Sequence, residues 1–281
     1  MPFIREILSA YLADRKPVVA APARIERAIR ALSALGDIMP SDLTRERLAA
    51  YVEQRMSAGS GSGTVRRDLV VLRASLRLAW RDGRIDRLPH ISLPPRGPAR
   101  QRVLTRDEIT RMTNACAVDA DPATSVLWHL LLCTGARISA LMELTWARVD
   151  WDARAIDLRR VDDPLFSRRK GRAVVPIDRA LHAVLRTAHR RASGSYVLPF
   201  RSSCAARRRL CRCAKRAAVV GVTPHIMRHT AATWMLRAGV SLIVVSRMLG
   251  HKSVVTTEQE YSHLVTDDLA QAAKALGRLA R

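Results

Sequence analysis

Aromatic residues and long apolar runs are both scarce in this sequence. Phe, Trp and Tyr make up only 4% of the 281 residues, whereas hydrophobic residues as a whole make up 48%. Aliphatic side chains must therefore fill the interior, and the abundant Ala and Leu favour helices. No apolar run reaches the roughly 18 residues that a transmembrane helix needs. Because charges at Arg5, Glu6 and Asp14 also interrupt the apolar stretch of a signal peptide, we expect a soluble, cytoplasmic protein.

Cysteine is scarcer still, and its spacing matches neither a disulfide framework nor a common zinc site. The five cysteines are an odd number and include no C-x-x-C pair. This argues against paired disulfides and for a reducing compartment. Cys204, Cys211 and Cys213 follow a C-x6-C-x-C spacing that suits no common zinc finger. We therefore predict no metal site.

Acidic residues are outnumbered almost two to one by basic residues. The chain has 48 Lys and Arg against 25 Asp and Glu, which gives a formal net charge of +23. Both halves of the sequence carry the excess, so it is not confined to one basic tail. Such a charge predicts a polyanionic partner, of which DNA and RNA are the commonest. The alternative is a basic surface with no specific polyanion to bind.

A cluster of prolines divides the chain into two predicted domains. Four prolines between positions 89 and 98 disfavour helix and favour extended chain. We therefore predict one domain over residues 1–87, a basic linker over 88–102 and a second domain over 103–281. The linker could lie along a DNA duplex, or it could be a plain connection.

The first predicted domain is helical, with helices at about 23–35, 45–57 and 64–80. In the third helix an apolar face is formed by Val65, Leu69, Leu72 and Leu76. A second face, about 120° away, carries Arg66, Arg73 and Arg77 without an acidic partner one turn further on. We predict that these three arginines contact DNA. The alternative is an ordinary solvated face.

The second predicted domain mixes helices with a few short strands. Thr105 and Glu108 form a capping box that starts a helix at about 106–116. Further helices are predicted at about 122–133, 137–144, 178–191, 202–218, 224–238, 241–249, 254–261 and 267–279. Strands are predicted at 155–158 and 173–177, and between them lies a basic hairpin tip that includes Arg168 and Arg169. The predicted fold class is therefore mainly α with a small antiparallel β-sheet.

Two histidine motifs in the second domain are suited to binding an anion. Thr223 and Pro224 are favourable N-cap and first residues of a helix, which places His225 and Arg228 on one face near its N-terminus. Backbone N–H groups and the helix dipole favour an anion there. Further along, a glycine that ends a helix is followed directly by His251, and Tyr261 comes ten residues later. Taken singly, a histidine or a tyrosine is more often structural.

Arg137 follows a Thr-Gly break in an apolar helical stretch. An arginine directed toward such a core needs an anion or an acidic residue as a partner. Glu143 could supply that partner within the protein. The position therefore indicates either a structural ion pair or an anion site.

The combination of these motifs is far more specific than any one of them. Thr134-Gly135-Ala136-Arg137, then His225-x-x-Arg228, then Gly250-His251 and finally Tyr261 follow in one order. This order resembles the tyrosine recombinases, the family of phage integrases and Xer-type recombinases. The resemblance covers about residues 101–270, which would form a catalytic domain of the DNA breaking and rejoining type. Residues 1–87 are similar only in style to the family's helical core-binding domain.

The resemblance implies a chemical role for each matched residue. Tyr261 would attack the scissile phosphate and form a 3′-phosphotyrosyl link with release of a 5′-hydroxyl. Arg137 and Arg228 would clamp the non-bridging oxygens, and His251 would donate a hydrogen bond to the same phosphate. His225 would help to take the proton from Tyr261. Because the covalent intermediate conserves the phosphodiester bond, neither ATP nor a metal is required, and no cofactor is predicted.

Two spacings depart from the family pattern. The family's hairpin lysine usually lies about eight residues before the proline of the next strand, and counting back from Pro176 reaches Arg168. Arginine is a poor proton donor, so we assign the general acid to Lys170, the nearest lysine. The alternative is that another basic residue has taken over this role. Tyr261 follows His251 by ten residues, where nine is usual in the family.

The resemblance implies a site-specific DNA recombinase that acts on double-stranded DNA. Since strand exchange needs four cuts, a homotetramer is expected on DNA, with a monomer possible off DNA and accessory DNA-bending proteins as further partners. One alternative is a non-catalytic DNA-binding protein on the same scaffold. Another is a type IB topoisomerase-like enzyme, and a more distant one is a basic RNA-binding protein.

Overall fold

The computed structural model describes residues 1–19, 21–95, 102–159, 171–251 and 253–261. The chain forms two compact units, Met1–Arg100 and Gln101–Arg281. Each unit has its own hydrophobic core, and each is described by itself below.

The first unit is helical. Its helices are α1 (Ile4–Arg15), α2 (Pro22–Leu32), α3 (Arg45–Ser57) and α4 (Ser62–Arg81). The apolar face predicted for α4 forms the centre of this unit, since Val65, Leu69, Leu72 and Leu76 are all fully buried. Helix α1 is absent from the sequence-based prediction, although it buries Ile4, Ile7 and Leu8 in the same core.

The first residues of the predicted linker pack on this unit. Ile91 is buried in its core, and Leu93 packs against the core. Arg66 donates a hydrogen bond from Nη1 to the carbonyl oxygen of Pro94 at 2.5 Å. One of the three arginines predicted to contact DNA therefore holds the protein's own backbone.

The second unit is built from helices that pack around the buried helix α6 (Pro122–Thr134). In chain order the helices are α5 (Arg106–Ala117), α6 (Pro122–Thr134), α7 (Ile138–Met142), α8 (Arg179–Arg190), α9 (Ser203–Arg216), α10 (Pro224–Arg237), α11 (Leu242–Leu249) and α12 (Val254–Tyr261). Helix α6 contributes five buried residues from Val126 to Leu131 to the main core. A smaller apolar cluster lies where α10, α11 and α12 meet.

A short antiparallel sheet completes the second unit. Its strands are β1 (Val149–Asp150), β2 (Ala155–Asp157) and β3 (Val174–Pro176), paired in the order β1-β2-β3. Ile156 pairs with Val149 on one side and Val175 on the other, and all three side chains are buried. The predicted class, mainly α with a small antiparallel sheet, is confirmed.

Local signals account for the ends of the helices that carry the site. The Thr223 hydroxyl accepts a hydrogen bond from the N–H of Ile226, as expected for an N-cap. Gly135 and Gly250 follow α6 and α11 with φ of +60° and +65°, a left-handed conformation that suits glycine. The hairpin tip at 160–170 and the predicted last helix at 267–279 lie outside the described residues.

Candidate active site

Arg137 and Arg228 are anchored by backbone carbonyls from distant parts of the second unit. Arg228, on α10, donates from Nη1 to the carbonyl oxygen of Gly135 at 2.9 Å. Arg137 donates from its own Nη1 to Gly171 at 2.7 Å and, at 3.5 Å, to Gly250. The break after α6, the helix α10, the approach to β3 and the end of α11 therefore converge on two guanidinium groups.

This arginine pair carries more positive charge than its surroundings neutralise. Arg228 is only 6% exposed, and its Nη2 has no hydrogen-bond partner among the described residues. Among the described residues, neither Arg137 nor Arg228 forms an ion pair. Burial, followed by the charge of Arg137, lowers the pKa of Arg228 to about 10. Burial also lowers the pKa of Arg137. A buried, unpaired cation with a free N–H group favours an anionic ligand.

His251 stands beside this pair as a neutral imidazole. Burial, followed by the charges of Arg228 and Arg137, lowers its pKa to about 4. A hydrogen bond of 2.6 Å joins its Nδ1 to Oγ1 of Thr257, which is fully buried on α12. This contact fixes the ring through one nitrogen and leaves Nε2 for another partner.

Tyr261, at the end of α12, is enclosed in the apolar cluster. Its side chain is 1% exposed and packs with Ala232, Val245 and Leu249. The ring stacks on His229 with a centroid distance of 4.9 Å and an interplanar angle of 22°. Burial raises the pKa of the phenol well above its ordinary value, while the nearby Arg228 charge opposes the rise. The phenol is therefore next to the arginine pair, but it is protonated and shielded from solvent.

Two glycines allow the elements of the site to approach closely. A Cβ on Gly250 would lie 2.8 Å from Cα of Arg172 and 2.9 Å from its carbonyl carbon. A Cβ on Gly135 would lie 2.8 Å from a methyl carbon of Leu249. Since atoms cannot pack at these distances, a larger residue at Gly250 would push apart the backbone beside Arg137. At Gly135 the close atom is the end of a leucine side chain, which would have to move.

Four of the six predicted catalytic residues come together in this region. They are Arg137, Arg228, His251 and Tyr261. His225 lies on the first turn of α10 with an exposed side chain, and within the described residues it makes no hydrogen bond to these four. Lys170, the predicted general acid, lies outside the described residues.

The predicted DNA-contacting arginines have different environments. Arg73 and Arg77 are exposed on α4, whereas Arg66 is partly buried against Pro94. Arg168 and Arg169 lie outside the described residues. Arg73 and Arg77 are therefore accessible to a polyanion, whereas the side chain of Arg66 is only partly accessible.

The structure also corrects one of the sequence-based alternatives and adds residues that the motifs did not single out. Glu143 forms an ion pair with Arg172, on the approach to β3, so the structural partner suggested for Arg137 serves another arginine. Thr257 orients His251, and His229 stacks on Tyr261. The sequence gives one indication, because His229 directly follows Arg228. The packing of α12 on α10 is needed to show that the partner of His229 is Tyr261.

The described residues contain neither a metal site nor a membrane span. No group of three or more His, Cys, Asp or Glu side chains is arranged there to hold a metal ion. No helix in these ranges combines the length and the apolar character needed to cross a bilayer.

The comparisons with known proteins agree on one family. The model of the phage integrase family matches residues 102–267, which make up more than half of the chain. The tyrosine recombinase XerD of Rickettsia bellii is 26% identical over 205 residues, which cover 66% of this chain and 67% of that protein. The XerD of Caulobacter vibrioides is 27% identical over 269 residues, which cover 84% of this chain and 83% of that protein.

Solved structures show the same fold. An integrase of the Tn1549 transposon, in complex with a circular intermediate DNA, matches with a TM-score of 0.80 at 18% identity, covering 93% of this chain and 95% of that chain. A lambda integrase tetramer bound to a Holliday junction matches with a TM-score of 0.74 at 18% identity, covering 92% and 77%. Together with the family match, these findings show that the chain belongs to the phage integrase family, the tyrosine-type site-specific recombinases.

Proposed function

We propose that this recombinase cuts and rejoins double-stranded DNA through a 3′-phosphotyrosyl intermediate on Tyr261. The observation that carries the proposal is the arginine pair, in which Arg228 is buried and Arg137 partly buried. Among the described residues, backbone carbonyls anchor both guanidinium groups, and a tyrosine and a neutral histidine lie beside them. A DNA phosphate would supply the negative charge that this arrangement lacks within the described residues.

The arginine pair would bind the two non-bridging oxygens of the scissile phosphate. Nη2 of Arg228 has no partner among the described residues, because Gly135 uses only Nη1, but it is buried and would make such a bond only once the site opens. During attack, negative charge grows on these oxygens, and donors already fixed in place stabilise it without reorganisation. The carbonyl anchors of both arginines would provide this fixed geometry.

His251 would donate a hydrogen bond to the same phosphate from Nε2. The ring has a pKa of about 4 in the free protein because burial and two positive charges disfavour its protonation. Its neutral form can still donate from Nε2 if Nδ1 accepts from the Thr257 hydroxyl. Phosphate binding would also offset the arginine charges that disfavour protonation of the ring.

In the chemical step, the phenolic oxygen of Tyr261 would form a bond to phosphorus while the bond from phosphorus to the 5′ oxygen breaks. The phenol proton would pass to a base, for which we propose His225, and Lys170 would protonate the departing 5′ oxygen. Attack requires Tyr261 to leave its cluster, because a side chain that is 1% exposed cannot reach a DNA phosphate. Rejoining reverses these steps with a 5′-hydroxyl from another strand, so no external energy source is consumed.

The assembly on DNA would involve both parts of the chain. We assign residues 1–87 to DNA core binding, 88–102 to a basic linker and 103–281 to catalysis. Exposed Arg73 and Arg77 would contact the duplex backbone, with Arg168 and Arg169 contributing from the hairpin. Four protomers would act together, as in the lambda integrase tetramer on a Holliday junction.

Covalent trapping tests this function. Nicked duplexes tiled across the DNA that flanks the encoding gene would be incubated with the protein, because a nick near the cleavage site lets the leaving strand diffuse away. We expect a covalent protein–DNA adduct that is lost in Tyr261→Phe. Binding without an adduct on any duplex would refute catalysis and favour a DNA-binding scaffold. Relaxation of any supercoiled plasmid, without a site requirement, would instead indicate topoisomerase-like activity.

A further inference from the structure

A third arginine, Arg172, lies at the edge of the candidate site. It directly follows Gly171, whose carbonyl oxygen accepts the 2.7 Å hydrogen bond from Nη1 of Arg137. The side chain of Arg172 is only 10% exposed, and it forms an ion pair with Glu143. The proposed chemistry uses neither Glu143 nor Arg172, so this largely buried ion pair has no role in it so far.

Glu143 and Arg137 occupy the two ends of helix α7. Arg137 is the N-cap residue of this helix, and Glu143 is its C-cap residue. Between them, Ile138, Ala140 and Leu141 are buried. Because the helix is short and packed in the core, the two cap residues are held at a fixed separation.

The contacts of these residues close a ring. From Arg137 the ring follows α7 to Glu143 and crosses the ion pair to Arg172. One peptide bond leads on to Gly171, whose carbonyl oxygen returns the ring to Arg137. The ion pair therefore ties the carbonyl that anchors Arg137 to the far end of the helix that Arg137 begins.

The backbone of Arg172 also touches the second anchor of Arg137. A Cβ on Gly250 would lie 2.8 Å from Cα of Arg172, so the two backbones are in close contact. The carbonyl oxygen of Gly250 is the weaker acceptor of Arg137, at 3.5 Å. A shift of Arg172 would therefore disturb both carbonyls that hold the Arg137 guanidinium.

The ion pair also decides which cation is available to an anion. Nη1 of Arg172 is buried and has no hydrogen-bond partner among the described residues, so its charge depends on Glu143 for compensation there. Burial lowers the pKa of Arg137, and the charge of Arg172 acts in the same direction. With Arg172 paired, Arg137 is left as the cation that can bind a phosphate.

We propose that the ion pair between Glu143 and Arg172 positions Arg137 for the scissile phosphate. The inference rests on the proposed function, in which Arg137 binds a non-bridging oxygen. The ion pair holds Arg172, and through it the Gly171 carbonyl that fixes Nη1 of Arg137. Nε and Nη2 of Arg137 then remain for the phosphate. Glu143 and Arg172 are positioning residues, since neither touches the DNA.

Glu143→Ala tests this role through the rate of adduct formation at saturating nicked duplex. A misplacement of about 1 Å can slow a reaction about 100-fold, so we expect the rate constant to fall about 10- to 100-fold. The affinity for the duplex should change little, because it depends on many phosphate contacts. The substitution removes a negative charge, which by itself would favour phosphate binding, so a slower reaction points to geometry.

Glu108→Ala is the matched control. Glu108 pairs with Arg102 at 2.7 Å in the same unit, and its side chain is likewise mostly buried. Among the described residues, it bonds to none of Arg137, Arg228 and His251. We expect a wild-type rate of adduct formation in this variant, and urea unfolding checks that both variants fold. A rate in Glu143→Ala equal to that of the control would overturn the proposal.

Arg172→Met and the double variant separate positioning from direct binding of DNA. If Glu143 and Arg172 act only through each other, both single variants and the double variant should be slowed to a similar extent. A far slower reaction in Arg172→Met than in Glu143→Ala would show that Arg172 itself binds the phosphate. Additive losses in the double variant would show that the two residues act independently. Either result would overturn the positioning role.

NMR signals of the Arg137 guanidinium test the anchoring without DNA. The hydrogen bond to Gly171 should restrain rotation of the guanidinium in the wild-type protein, and Glu143→Ala should release it whereas Glu108→Ala should not. If the wild-type protein forms no adduct on any duplex, the recombinase mechanism fails, and these signals still test the ion pair. If it forms the adduct and Glu143→Ala changes neither the rate nor the signals, the positioning proposal fails and the mechanism stands.

Discussion

The hydroxyl of Thr257 offers a sharp test of the proposed site because it bonds to His251 but has no direct role of its own in the proposed chemistry. It is fully buried and lies 2.6 Å from Nδ1 of the ring. For Nε2 to carry the proton that bonds to phosphate, Nδ1 must accept, so the hydroxyl must donate to it. Thr257→Val keeps the shape of the side chain and removes this donor.

The expected effect on catalysis is larger than the effect on stability. Loss of one hydrogen bond should lower the free energy of unfolding by about 1 kcal/mol. The ring, however, would lose the contact that selects its tautomer and orientation. Loss of such orienting contacts typically reduces activity about 10- to 100-fold. We expect a reduction of this size in the rate of adduct formation.

Thr257→Ser is the matched control. It retains the hydroxyl and removes one buried methyl group, which should cost about 1 kcal/mol of stability. The two variants should therefore have similar stability but very different rates. Single-turnover adduct formation on a nicked duplex measures the rates, and urea unfolding measures the stabilities.

The result that would refute this reasoning is a wild-type rate in Thr257→Val. Equal losses of rate in the valine and serine variants would also refute it, because packing rather than the hydroxyl would then be responsible. The tautomer of His251 can be read independently from the ¹⁵N shifts of its ring.

Three further perturbations address the glycine corner, the buried charge and the histidine. Gly250→Ala should lower the free energy of unfolding by about 2–4 kcal/mol, since φ is +65° and the new Cβ meets the backbone of Arg172. Gly239→Ala, with φ of +81° and open space around it, should cost only about 1–2 kcal/mol, and equal losses in urea unfolding would contradict the close approach. Arg228→Met should abolish adduct formation and leave the free energy of unfolding unchanged or raised by about 1 kcal/mol, because it removes a desolvated charge; a large loss of stability would show that the charge is well compensated. The pKa of His251 is about 4 in the folded protein against 6.5 ordinarily, so the unfolded state binds more protons between these values and stability falls as the pH drops from about 6.5 to about 4. Relative to His251→Gln, the wild-type protein should lose about 1–2 kcal/mol over this range, allowing for partial exposure, and parallel urea-unfolding profiles would refute the shift.

Helix positions in the second unit follow closely from neighbouring residues. Thr105 with Glu108 and Thr223 with Pro224 start helices where the sequence predicts them, and Gly250 ends one. These signals act within one turn of helix, so they need no knowledge of the rest of the chain. Helix α1 of the first unit was not predicted, since its N-cap position is Phe3, which lacks the side-chain oxygen of the usual caps.

The chemistry of the site was also predictable in part. The order of Arg137, His225, Arg228, His251 and Tyr261 identifies the family from sequence, and the family is confirmed. Neither the anchors of the arginines nor the role of Thr257 could be deduced in this way. The bond from Arg228 to Gly135 spans 93 positions, and that from Arg137 to Gly250 spans 113.

The amino-acid sequence alone thus determined most of the helices, two of the three strands and the motif order that identifies the family, because each depends on residues a few positions apart or on a motif in one order. Only the tertiary structure decided that Glu143 serves Arg172 and that Tyr261 is enclosed against His229. The enclosure of Tyr261 depends on how α12 packs on α10 and α11. Burial and electrostatics at the site are set by that packing, since the free energy of a charge depends on what surrounds it in space rather than along the chain.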